Sequence, residues 1–108
     1  MASNIFRFTD TAKEDLDNTL SYISKELCNP IAANNLFVKI EEVINRICDF
    51  PESCPIVEND YVVVKDIRKA VIDNYIMYYI FEEDRHIISI LRIVYGRRNL
   101  DEIIKLIN

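Results

Sequence analysis

The sequence predicts an α+β fold in the order β-α-α-β-β-β-α: a helical hairpin packed on a small antiparallel sheet, with a short C-terminal helix. Three observations lead there. Between Ala12 and Ile47, apolar residues recur at three- and four-residue steps in two runs divided by Asn29-Pro30, the period of amphipathic helices. From Ile67 to Tyr95 the pattern changes to contiguous β-branched and aromatic runs joined by short polar turns, which read as a three-stranded antiparallel meander. The length, 108 residues, suits one domain over residues 1–108 that buries roughly two-thirds of the surface its unfolded chain exposes.

Each element has its own local reason. Ile5-Phe6-Arg7-Phe8 is short, aromatic and β-branched, hence a strand. Thr9 and Asp10 are candidate N-caps, and Thr11 with Glu14 is a capping-box candidate. Ala12, Leu16, Leu20, Ile23 and Leu27 form the stripe of the first helix. Asn29-Pro30 ends it and opens the second, because proline is tolerated in a first helical turn. Ala33, Leu36, Phe37, Ile40, Val43, Ile44 and Ile47 mark the second helix, and Asp49-Phe50-Pro51 closes it. After the Pro51–Pro55 loop, Tyr61–Val64 reads as a short extended piece. Strands follow at Ile67–Ile72, Tyr75–Phe81 and Ile87–Tyr95, turning at Asp73-Asn74 and through Glu82–Arg85. Asn99 caps a terminal helix whose apolar face is Leu100, Ile103, Ile104 and Ile107.

Alternation places Tyr75, Met77, Tyr79 and Phe81 on one sheet face and Ile76, Tyr78 and Ile80 on the other. One face receives the helical hairpin. The other is left to the C-terminal helix or to a partner protein, which makes binding the strongest physical expectation.

Composition closes off several functions. A single glycine, Gly96, cannot build a Walker loop or a dinucleotide fingerprint, both of which need several. The net charge is −5, so the isolated chain is not expected to bind nucleic acid in a sequence-specific way. Residues 1–64 hold 5 basic and 11 acidic side chains, residues 65–108 hold 8 and 7. An anion-binding surface therefore belongs in the C-terminal part. Cys28, Cys48 and Cys54 are odd in number and form no CxxC pair, as expected of a reducing cytosol. No signal peptide or transmembrane run is evident, so a cytoplasmic protein with no membrane partner is expected.

The chemistry candidates are few. His86 is the only histidine and stands beside a hairpin turn, where a solvated role is the expectation. With the three cysteines it makes a Cys₃His set, but without the paired short spacings of structural zinc sites, so no metal or other cofactor is expected. The basic residues Arg68, Lys69, Arg92, Arg97 and Arg98 lie on the sheet or at its exit, with Tyr95 among them. Arg92 interrupts the apolar run Ile90-Leu91-Arg92-Ile93-Val94, and strict alternation puts it on the face of Ile88, Ile90 and Val94. A charge there needs a partner: an acid of the helices, or a carboxylate or phosphate of something bound.

The chain resembles the RelE/ParE superfamily of type II toxin–antitoxin toxins, nearer the ParE branch. The resemblance rests on Phe6 through Leu16, Tyr22-Ile23, Phe50-Pro51-Glu52, Ile67–Ala70, Tyr75–Tyr79 and Ile90 through Arg98, in that order and spacing. It implies a growth-inhibiting toxin wrapped and neutralised by a cognate antitoxin. ParE-like members resemble gyrase poisons without a catalytic site; RelE-like members cleave mRNA on the ribosome. The candidate target- and antitoxin-binding set is Arg68, Lys69, Tyr79, Arg92, Tyr95, Arg97 and Arg98. In the nuclease alternative the catalytic candidates are Arg68, Arg92, Tyr95 and Arg97. The sequence departs from the nuclease pattern: Ile76 stands where such toxins place a strand arginine, and the loop from Glu52 to Asp66 carries Glu58 and Asp60 against Lys65. DNA gyrase is therefore the favoured target over the ribosome, and enzymatic activity is left open.

Overall fold

The computed structural model describes residues 4–57 and 66–96. Strand β1 (Ile5–Phe8) leads into helix α1 (Asp10–Ser21), which continues as one turn of π-helix over Tyr22–Glu26; helix α2 (Pro30–Asp49) returns beside it. Strands β2 (Arg68–Ile72), β3 (Tyr75–Glu82) and β4 (Ile87–Tyr95) follow. The extended piece at residues 61–64, the terminal helix, Arg97 and Arg98 lie outside the described residues.

The sheet order is β1-β4-β3-β2. Strands β2, β3 and β4 form the expected antiparallel meander, while β1 pairs parallel with β4. The sheet is therefore mixed rather than wholly antiparallel. The helical hairpin and two strands separate β1 from β4 in sequence, a connection long enough to bring the chain back in the same direction.

Helix α1 starts where Thr9 Oγ1 accepts the Ala12 N–H at 3.1 Å, so Thr9, and not Asp10, is its N-cap. Asn29 caps α2 through the Ala32 N–H, with Pro30 in its first turn. Ala33, Leu36, Ile40, Ile44 and Ile47 of α2 are buried, together with Ala12 and Ile23 from the first helical run. They meet Ala70, Ile72, Met77, Tyr79, Ile88, Ile90 and Ile93 of the sheet in the main core. Each fully buried Ile contributes about 1.5–3 kcal/mol, so α2 is the principal lid of the sheet. Leu27 falls outside the stripe and is 55% exposed, because the π-turn adds width to the helix and rotates everything after it.

The second sheet face is not an open apolar surface. Val57, Ile67, Tyr78 and Val94 form a buried cluster there, with Ile76, Ile80 and Leu91 packed against it. Part of that cover comes from the connection between α2 and β2, which supplies Val57 and Ile67; Val57 N donates to Ile67 O at 2.7 Å.

The β3–β4 register shifts between Tyr78 and Tyr79, which pair with Arg92 and Ile90 and leave Leu91 extra on β4. This bulge corrects the expected position of Arg92. Ile88 and Ile90 face the main core, Val94 faces the second cluster, and Arg92 turns towards α1. One additional residue changes the phase of every side chain after it.

Candidate functional site

The described candidates, Arg68, Lys69, Tyr79, Arg92 and Tyr95, are spread over the sheet. Arg68 pairs with Tyr79 in register, and its guanidinium ties the loop after α2 to β2. Nη1 donates to Cys54 O at 2.6 Å and to Glu52 O at 3.3 Å. Nη2 lies 3.8 Å from Glu52 Oε2. A cleft of about 410 Å³ opens beside it, lined by Phe81 and by four carboxylate residues, Glu52, Asp66, Glu83 and Asp84. Among the described residues such a rim repels phosphate and screens Arg68.

Lys69 pairs with Tyr78, on the opposite face from Arg68, and its backbone N–H donates to Pro55 O at 3.1 Å. Tyr79 is fully buried and its hydroxyl donates to Pro51 O at 2.9 Å. Burial first, and then the neighbouring Cys54, push that hydroxyl well above the ordinary tyrosine range. Tyr79 therefore anchors the Pro51 loop from inside the core and presents no surface to a partner.

Arg92 is committed to α1. Its Nε donates to Asp15 Oδ2 at 2.7 Å and its Nη2 to Asp15 Oδ1 at 3.1 Å, a two-pronged pair whose side chains are 11% and 14% exposed. The sequence offered an acid of the helices as one partner, and Asp15 is that acid. Tyr95 ends β4 opposite Tyr75, with their rings edge to face and centroids 5.6 Å apart. Burial, then Tyr95 and Tyr22, raise the pKa of Tyr75.

Arg68, Arg92 and Tyr95 are not brought together. From Tyr79 to Tyr75 the register runs four residues along β3, about 13 Å at ~3.3 Å per residue. Adding two strand spacings of ~4.8 Å separates Arg68 from Tyr95 by roughly 16 Å. Arg68 is held by Cys54 O and Glu52 O, and Arg92 by Asp15, so the side chains have separate partners.

The exposed apolar surface lies elsewhere. A groove of about 680 Å³ runs between α1 and the end of β4, with Tyr22, Leu27, Tyr75 and Tyr95 along it. The exposure of Tyr22 and Leu27 depends on the π-turn, which helical periodicity does not signal. A second groove, about 430 Å³, lies between β1 and the hairpin and includes Phe6, Phe8 and Phe37. His86 is an exposed turn residue in the left-handed region, with φ 55°. Among the described residues no three His, Cys, Asp or Glu side chains group as metal ligands, and no helix is long and apolar enough to cross a membrane.

The comparisons with known proteins agree with this architecture. In fold the chain is similar to a solved structure titled "Chromosomal ParDE TA system from P. aeruginosa", with a TM-score of 0.66 and 18% identity. The match covers 87% of this chain and 96% of that one. No curated protein sequence matches. The fold is that of the RelE/ParE class of toxins. Within that class, residues 6–100 match the family described as the ParE toxin of the type II toxin–antitoxin system parDE, and the chain belongs to that family.

Proposed function

We propose that this chain is the toxin of a type II pair that inhibits growth by binding a cellular target, DNA gyrase, rather than by cutting RNA, and that a cognate antitoxin neutralises it. Family membership over residues 6–100 supports the toxin assignment. The observation that carries the choice of mechanism is the state of Arg68 and Arg92. Arg92 is closed on Asp15, and Arg68 is spent on loop carbonyls inside an acid-lined cleft. A ribonuclease needs cations aimed at the phosphate whose charge grows in the transition state, with an acid and a base beside them. The exposed apolar groove along Tyr22, Leu27 and Tyr95 is a surface for protein contact instead.

The purified chain is expected to block DNA supercoiling by gyrase and to accumulate cleaved DNA, with mRNA left intact in primer extension after induction. Unaffected supercoiling at high molar excess overturns the gyrase reading. New ends on translated messages would restore the nuclease alternative.

A further inference from the structure

Strand β1 covers β4 only as far as the pair Phe8–Ile90, yet β4 continues to Tyr95. A strand edge left bare presents N–H and C=O groups in the spacing that another strand pairs with. Among the described residues, side chains at the start of α1 take the place of a further strand there. Thr9 Oγ1 donates to Leu91 O at 3.1 Å, and Asp15 Oδ2 accepts the Ile93 N–H at 3.0 Å. The two contacts fall on alternate residues of β4, as ladder bonds do. The Leu91 bulge is what turns Arg92 to this edge, where it holds the Asp15 carboxylate by both oxygens.

We propose that Asp15 and Arg92 form an edge lock: a helix-borne carboxylate, fixed by Arg92, occupies the Ile93 donor and closes β4 to strand pairing with a second copy of this chain. A buried ion pair is a weak source of net stability. Its position here gives it a different task, which is to keep a β-edge from being extended. Asp15 suits that task because one oxygen takes the strand N–H while the guanidinium neutralises the charge that would otherwise be stranded. The lock does not depend on which cellular target the chain binds.

The test is a matched pair of variants of the full chain. D15N/R92M and D15A/R92M both remove the ion pair, but only the first keeps an oxygen that can accept the Ile93 N–H. D15N/R92M is expected to keep the light-scattering mass of the unaltered chain. D15A/R92M is expected at least to double in mass at the same concentration while its circular dichroism retains the helices. A folded, monomeric D15A/R92M overturns the proposal, as does association of both variants alike. Should D15A/R92M not fold, hydrogen exchange at the Ile93 amide of the unaltered chain decides. Protection like that of an interior ladder amide supports the lock, and exchange at the rate of an open edge overturns it.

Discussion

Asp15 and Arg92 are 77 positions apart in the chain and meet at 2.7 Å. Replacing Asp15 by Ala strands a buried guanidinium, so it should cost about 3–5 kcal/mol in denaturant unfolding. D15A/R92M should be less destabilised than Asp15→Ala alone, since it removes both charges; costs that simply add would refute the coupling. Tyr79 makes a second prediction. The folded state holds its phenolic proton well past the ordinary pKa of 10.0, whereas the unfolded chain releases it there. The resulting stabilisation is whole below pH 10 and is lost as pH rises above it. Tyr79→Phe should lose about 1 kcal/mol near neutrality with its bond to Pro51 and show a shallower alkaline decline. An unchanged slope would remove Tyr79 as the source. The sequence made Arg92 conspicuous as a charge in an apolar strand. Which acid met it depended on where α1 lay, and no local pattern carried that information.

At the level of elements, Thr9 and Asn29 do the same local job with different tertiary consequences. Both cap a helix, but the Thr9 hydroxyl also donates to Leu91 O on β4. Asn29→Ala should cost about 1 kcal/mol, the usual value of a cap. Thr9→Ala should cost nearer ~2 kcal/mol, because a second hydrogen bond disappears with the first. Equal losses in thermal unfolding would show that the strand contact contributes nothing. Thr9 was legible as a cap candidate beside Asp10, and the Asn29-Pro30 boundary as a helix start, because both are local arrangements. The π-turn at Tyr22–Glu26 and the bulge at Leu91 were not, since each inserts one residue into a period that otherwise continues smoothly. Gly96 lay in between: its position at the strand exit was readable, its reason was not. Its N–H donates to Asn74 O at 2.7 Å, and a Cβ there would stand 3.1 Å from that same oxygen.

The whole molecule carries a net charge of −5, and two of its sheet arginines, Arg68 and Arg92, are held by internal partners. The isolated chain should therefore show negligible affinity for random duplex DNA at physiological salt. Tight binding that weakens steeply with added salt would mark a phosphate-contacting surface and contradict this. The sequence by itself determined the order of elements from β1 to β4, the division of β3 side chains between two faces and the likeness to a toxin family. All of these are written in short-range periodicity and residue order. Only the tertiary structure decided that β1 runs parallel to β4, that Tyr79 is an anchor and not a contact, and that Arg92 closes on Asp15 rather than on a ligand. Those facts arise from groups far apart in the chain competing for the same buried space, and a linear pattern does not record which of them wins.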